Sequence, residues 1–300
     1  MEYSDSLLAR IDSEIDFKAP INALIGYNKL ETGKKLSELA AYFVLSRSEK
    51  SSITYLQLLD SESEESELKE STQYNKFFTE SGEEKEEKNE ITVRSFEKTS
   101  DNFVSDILKA SKDYKSNLVL FGLEDNQLTL NQCQKYTKLH QDPMLSDLQI
   151  LEQFTSSEAK MLECISSLFE LSSEATGVFV NNGLDRIKNI FVPILSHSDM
   201  LILPFVYLRF AQKDNINIMI WDAIGAIQTT SKFQKIYQTI TKKTEDKVYF
   251  WDSNKKIDVD FIQKLDLFIV GYEGWRKLIA TNLPWLDSLP STMIFKGKNI

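Results

Sequence analysis

Two short runs of sequence decide the fold: Asn117-Leu118-Val119-Leu120-Phe121-Gly122 and Asp266-Leu267-Phe268-Ile269-Val270-Gly271. Each run places four apolar residues between a polar residue and a glycine, and amphipathic helical patterns precede and follow it. Short apolar runs between helices are typical of strands buried on both faces, which occur in parallel α/β sheets. The two runs therefore predict the same α/β unit twice.

The sequence around each run extends the repeat to a whole domain. In the first half, further strands are predicted at residues 21–26, 53–59, 91–96 and 177–180, and in the second half at residues 189–195, 216–221, 248–251 and 292–295. Helical patterns lie between these strands, as a parallel sheet requires. We therefore expect two tandem three-layer α/β/α domains with parallel five-stranded sheets, over residues 1–182 and 183–300. A single continuous sheet or an all-helical body would speak against this duplication.

The acidity of the chain is concentrated in one segment. The formal net charge is −10, and residues 61–90 alone contain eleven Glu and four Lys. A segment so charged and so poor in apolar residues favours a solvated insert in the first domain, with a cation site or a basic partner as the alternative. The negative charge argues against nucleic acid or an anionic membrane surface as a partner.

The cysteines and the apolar segments predict a cytoplasmic protein. Cys133 and Cys164 are the two cysteines of the chain and form no CxxC motif, which favours free thiols in a reducing compartment. The first residues lack the apolar core of a signal peptide. The longest apolar stretch, residues 189–210, is interrupted by polar residues 196–199 and cannot cross a bilayer as one helix.

Catalytic and metal-binding patterns are weak in this sequence. His140 and His197 are the two histidines, and neither lies near a cysteine, which disfavours a zinc site. The run Ser196-His197-Ser198-Asp199 contains the residue types of a catalytic triad, but adjacent residues rarely reach hydrogen-bonding geometry, and Ser198 or Asp199 is better explained as a helix cap. We expect no catalytic residues, no metal and no enzymatic activity, and an α/β hydrolase or nucleotidyl transferase is the least favoured reading.

The repeated unit resembles the universal stress protein family, whose fold is that of the adenine nucleotide alpha hydrolases. The likeness rests on the two apolar runs ending in glycine and on the helix at residues 106–110. Residues 177–183, 190–195 and 285–292 also resemble the tandem C-terminal cytoplasmic region of bacterial monovalent cation:proton antiporters. The resemblance implies a strand order of 3-2-1-4-5 with helices on both faces. It also implies a ligand crevice at the carboxyl ends of strands one and four.

In nucleotide-binding members of that family the crevice holds ATP, and the resemblance transfers this site to the second half. Residues 271–274 keep the Gly-x-x-Gly of the phosphate loop, although Pro284-Trp285 stands where the family has Gly-Ser. In the first half, Gly122 is followed by residues 123–126, which contain two carboxylates and no second glycine. A tight strand-to-helix turn is the structural alternative. The candidate residues for ATP or AMP are Leu195, Asp199, Asp222, Gly271 and Gly274.

The resemblance implies a regulatory, ligand-sensing cytoplasmic module of a sodium/hydrogen-type antiporter, tethered to the inner membrane through that transporter and carrying degenerate nucleotide loops. The implied partners are a small nucleotide, the transporter membrane domain or another protein, and no bound cofactor is required. The alternative is a free-standing tandem universal stress protein of the stress response that binds a nucleotide or a partner protein. An edge strand with Ile294 and Phe295 further suggests a homodimer.

Overall fold

The computed structural model describes residues 20–44, 51–60, 69–70, 91–123, 130–202, 216–229, 231–243, 247–252, 256–281 and 283–297. The acidic insert at 61–90 therefore lies outside the described residues, except for 69–70. Residues 124–126, which follow Gly122 in the first half, also lie outside them, as do residues 203–210, where the apolar spacing after Asp199 predicts a helix.

Eleven strands are described, and two of them contain the apolar runs at residues 118–121 and 267–270. The strands are β1 (Asn22–Tyr27), β2 (Ser52–Asp60), β3 (Lys69–Glu70), β4 (Thr92–Ser100), β5 (Leu118–Leu123), β6 (Ala175–Val180), β7 (Asn189–Ile194), β8 (Asn217–Asp222), β9 (Val248–Phe250), β10 (Leu267–Gly271) and β11 (Ser291–Lys296). All residues of β5 and β10 are buried, because helices cover the sheet on both faces.

Nine α-helices and two short 3-10 helices are described between these strands. The α-helices are α1 (Leu30–Val44), α2 (Phe103–Asp113), α3 (Leu130–Leu139), α4 (Asp147–Leu151), α5 (Ser156–Leu171), α6 (Ala226–Thr229), α7 (Ser231–Lys243), α8 (Val259–Ile262) and α9 (Tyr272–Ile279), and the 3-10 helices are His197–Ile202 and Pro284–Ser288. The spacing of apolar residues over 128–171 predicts a helical stretch with one break at Asp142-Pro143. The structure instead has three helices between residues 130 and 171, with breaks after α3 and after α4.

The strand order is β3-β4-β2-β1-β5-β6-β11-β10-β7-β8-β9. Read from β1 in one half and from β7 in the other, this order contains 3-2-1-4-5 twice, and every pairing within each set of five is parallel. The repeated unit and its strand order are confirmed. The predicted boundary at 182–183 falls in the loop between β6 and β7, and the independence of the two halves stays a prediction.

The last strands of the two halves join the sheets, which the sequence does not predict. β6 and β11 pair antiparallel, with Thr292 opposite Val180 and Lys296 opposite Thr176. The structure therefore has a single continuous sheet, and the expectation that a duplicated unit excludes such a sheet is wrong. The continuity comes from an antiparallel junction between two complete units. We call this junction the seam. Ile294 and Phe295 lie inside it, so the edge that suggested a homodimer is occupied within the chain, and the homodimer stays a prediction without that support.

Side chains alternate between two cores along each central strand, which makes the fold three-layered. Ile25 and Leu120 pack with α1 on one face, whereas Leu24 and Phe121 pack with α2 on the other. In the second half the 3-10 helix at His197–Ile202 packs on the first face, and α9 packs on the second. Among the described residues, no helix is both long and apolar enough to cross a membrane.

The seam gives a test of the fold at Gly177. A side chain at Gly177 would meet Leu120 at 2.9 Å, Met293 at 3.0 Å and Phe295 at 3.1 Å. We expect Gly177→Val to lower the free energy of unfolding by about 1–3 kcal/mol, because overpacking forces neighbouring side chains apart. Urea unfolding measures this change. Thr92→Val, at an exposed strand position, is the control, and equal stability of the two variants would contradict the described seam.

Candidate functional site

The candidate site lies in the second half, at the point where the strand order of the sheet reverses. β7 lies between β10 and β8. The next strands in the chain, β8 and β9, lie on one side of β7, and the later strands, β10 and β11, lie on its other side. The carboxyl ends of β7 and β10 face each other across this switch point, which is where open α/β sheets bind ligands. Leu195 follows β7, and Gly271 ends β10 at the start of α9.

The side chain of Asp199 fills this crevice. Asp199 is only 1% exposed. Its Oδ2 accepts hydrogen bonds from the backbone N–H of Leu195 at 2.9 Å and of Ser196 at 2.8 Å. Its Oδ1 accepts from the Ser196 hydroxyl at 3.1 Å and from the backbone N–H of Gly274 at 3.2 Å. The carboxylate thus ties the loop after β7 to the first turn of α9.

This carboxylate stands where a bound phosphate would stand in the sequence-based prediction. Gly271 is the N-cap of α9 and Gly274 is its third residue, so Asp199 accepts a hydrogen bond from the N-terminal turn. Helix N-termini favour negative charge because their N–H groups are unpaired and the helix dipole points its positive end there. Asp199 supplies that negative charge from within the chain.

Both glycines of the Gly-x-x-Gly pattern are explained by the same carboxylate. A Cβ atom on Gly271 would lie 2.1 Å from Asp199 Oδ1, and one on Gly274 would lie 2.3 Å from Oδ2. Neither position can carry a side chain while Asp199 occupies the crevice. The pattern therefore accommodates an aspartate, and it needs no nucleotide to explain it.

Two opposing effects act on the acidity of Asp199. Burial raises its pKa above the ordinary value, and the four hydrogen bonds to the carboxylate lower it, with burial the larger effect. The pKa of Asp199 is therefore raised. The neighbouring cation, Lys277, donates from Nζ to the backbone oxygen of Leu195 at 3.0 Å, so it helps to hold the same loop. No pattern in the sequence indicates a role for Lys277.

Asp222, the remaining candidate, has a separate local role. Its carboxylate accepts from the backbone N–H groups of Ala226 at 2.9 Å, Ile227 at 2.9 Å and Gln228 at 3.1 Å. Asp222 thus holds the turn into α6. The structure brings together Leu195, Asp199, Gly271 and Gly274 and leaves Asp222 outside this group.

The corresponding crevice of the first half is filled by apolar groups. A Cβ atom on Gly122 would lie 2.3 Å from Thr32 Cγ2 and 2.6 Å from Leu36 Cδ1, and one on Gly33 would lie 2.8 Å from the ring of Tyr27. The N-terminal turn of α1 therefore packs directly onto the ends of β1 and β5. Both crevices are filled by the chain itself.

The run Ser196-His197-Ser198-Asp199 forms no catalytic triad. His197 is exposed, and the Ser196 hydroxyl bonds Ser198 at 2.6 Å and Asp199. The prediction that Ser198 or Asp199 caps the following helix is wrong for Asp199, because its carboxylate bonds the residues before that helix and the N-terminus of α9. Within the described part of the chain, no cluster of His, Cys, Asp and Glu could hold a metal ion.

Comparison of the sequence with protein-family profiles gives no match, and comparison with curated proteins gives none either. The fold does match solved structures. The cytoplasmic domain of a prokaryotic cation chloride cotransporter matches with a TM-score of 0.53 and 12% identity, over 93% of this chain and 96% of that one. At this identity the likeness shows a shared fold.

Two proteins of Pseudomonas aeruginosa also match over nearly their whole length. One, whose function is not known, has a TM-score of 0.47 and 11% identity, over 96% of this chain and 95% of that one. The other, provisionally assigned to the universal stress proteins, has a TM-score of 0.45 and 11% identity, over 94% of each chain. Both scores lie below 0.5, so these two likenesses carry no argument.

The Asp199 contacts predict a large loss of stability on truncation. Asp199→Ala leaves two buried backbone N–H groups and one part-buried N–H group without their acceptor, and we expect the free energy of unfolding to fall by about 3 kcal/mol. Asp222→Ala is the matched control, because it removes three N–H contacts at a half-buried cap and should cost about 1 kcal/mol. Chemical denaturation measures both. Equal losses would contradict the special position of Asp199.

The raised pKa of Asp199 predicts a pH dependence of stability. The folded protein holds this proton more tightly than the unfolded chain does, so stability from Asp199 is greatest below its ordinary pKa of 3.8 and is lost as the pH rises through the folded pKa. We expect the stability of the wild-type chain relative to Asp199→Asn to fall as the pH rises from acid to neutral. A difference that grows with pH would show that the hydrogen bonds outweigh burial.

Proposed function

We propose that this chain is a regulatory cytoplasmic module of a monovalent-cation transporter and that it acts by binding, without catalysis. The observation that carries the proposal is the filling of both switch-point crevices by the chain itself, with Asp199 in one half and Tyr27, Thr32 and Leu36 in the other. When the usual ligand sites of the fold are filled, other molecules can bind only elsewhere, on the outer surface of the chain or at the seam.

The fold comparison supports the transporter part of the proposal. The matching domain is the cytoplasmic part of a cation transporter, and the match extends over 96% of that domain. The sequence resemblance of residues 177–183, 190–195 and 285–292 points to cation:proton antiporters, and we take proton-coupled cation exchange as the process that the module regulates. The membrane domain of the transporter is then its partner.

Regulation by such a module requires a difference in binding between transporter states. A partner or ligand that binds one conformation more tightly shifts the equilibrium toward it, by no more than that difference in affinity. The continuous sheet lets the two halves respond as one body, because the β6–β11 ladder joins them by backbone hydrogen bonds.

Transport measurements in the source organism test the proposal. Deleting residues 20–297 from the gene should change the rate at which added Na⁺ or K⁺ dissipates a proton gradient in inverted membrane vesicles, and restoring the wild-type chain should return it. Isothermal titration of the purified chain with ATP and with AMP should show no saturable heat at millimolar concentrations, because Asp199 repels and excludes a phosphate.

Unchanged ion fluxes after the deletion would overturn the transporter role. Saturable nucleotide binding that Gly274→Val abolishes would instead favour the free-standing nucleotide-binding stress protein, since a side chain at that glycine blocks the crevice. Asp222→Ala is the control variant in both measurements, because it alters a carboxylate outside the crevice.

A further inference from the structure

A cavity lies over the seam, separate from both crevices. It has a volume of about 50 Å³ and lies on the face of the sheet covered by α3, α5 and α9. Its floor contains Val178 of β6 and Ile294 of β11, the two strands that pair across the seam. Its walls come from both halves of the chain, which is a frequent position for small-molecule sites.

The walls of this seam cavity are mostly aromatic. Phe169 and Tyr272 stack with ring centroids 4.6 Å apart, and Tyr136 lines the opposite side with His140, to which its hydroxyl is bonded at 2.6 Å. Trp275 also lines the cavity and donates from Nε1 to Thr137 Oγ1 at 3.1 Å, across the two halves. These bonds fix the walls, so the cavity is preformed.

Two polar side chains of the cavity remain available to a ligand. The hydroxyl of Tyr272 makes no hydrogen bond with any residue that the structure describes, although burial raises the pKa of this side chain and keeps the hydroxyl protonated as a donor. The guanidinium of Arg276 pairs with Glu273 at 3.7 Å, a distance too long for a hydrogen bond, and the side chain is 45% exposed. Both residues lie on α9, one turn apart.

We propose that the seam cavity binds a small carboxylate whose apolar body of about two to four carbons replaces the roughly four water molecules that such a volume holds. The aromatic walls receive the apolar body. The carboxylate meets Arg276, which can bind both of its oxygens at once, and the hydroxyl of Tyr272. Glu273 competes for the same guanidinium and weakens the binding.

The size of the cavity excludes larger ligands, because a nucleotide is several times larger than the cavity. The charges around the cavity have both signs. Arg276 lowers the pKa of Tyr272, whereas the carboxylates of Glu170 and Glu273 raise it. A short carboxylate matches the volume, and Arg276 is the group that would meet its charge.

This inference rests on the proposed regulatory function, because it supplies the small ligand that such a module would sense. A bound carboxylate would contact α3 and α5 of the first half and α9 of the second half. It would therefore favour the arrangement in which these helices close over the seam. Binding is measured on the chain alone, so its failure is distinct from a failure of the transport test.

Protein-detected NMR of the full chain tests the inference with propionate, butyrate and pentanoate as probes. The indole N–H resonance of Trp275, identified by its loss in Trp275→Phe, should shift and saturate with at least one of the three. Arg276→Gln should weaken that binding at least tenfold and Tyr272→Phe severalfold. Arg186→Gln, at an exposed position outside the cavity, is the matched control and should bind as the wild type does.

A cavity-filling variant keeps the test independent of the polar side chains. Ser166 lines the cavity, and Ser166→Leu should abolish the shift while leaving the remaining spectrum folded. Absence of a saturable Trp275 shift with all three probes overturns the proposal. Equal affinity in Arg276→Gln, or for n-butanol in place of butyrate, overturns it as well, because the carboxylate would then make no contribution.

Discussion

The antiparallel ladder between β6 and β11 is the constraint on which the rest of the molecule depends. Each half would otherwise end in an exposed apolar strand, and such edges invite pairing with other chains. Pairing Val180 with Thr292 and Thr176 with Lys296 removes both edges at once. The ladder also brings helices of the first half beside α9, where Gln141 donates to the backbone oxygen of Arg276 at 2.6 Å.

The two halves close the same crevice by different chemistry. In the first half apolar groups of α1 pack onto Gly122, and close packing alone fills the space. In the second half a charged group fills it, and the cost of burying that charge is partly offset by four hydrogen bonds and by the N-terminus of α9. The glycines persist in both halves, because each crevice is filled to within contact distance of the backbone.

Strands and helices encoded by local sequence patterns are predictable from the sequence, whereas contacts between residues far apart in the chain are not. The apolar runs at β5 and β10 are local, so their strands and the repeated unit are predictable. The seam is not predictable. The patterns of β6 and β11 each indicate the last strand of a unit, and neither pattern indicates that the two strands pair. Asp199 was placed near the crevice from its position after Leu195. Its role was missed because its partner Gly274 lies 75 residues later.

Helix α9 connects the filled crevice of the second half with the seam cavity. Gly274, in its first turn, is held by the Asp199 carboxylate, and Trp275 and Arg276, the next two residues, line the seam cavity. α9 has eight residues, so the Asp199 contact and the cavity wall lie within one turn of each other. A ligand in the cavity that displaced α9 would therefore also act on the Asp199 contact. On the proposed binding at the seam cavity, the Asp199 carboxylate would be the anchor against which α9 moves.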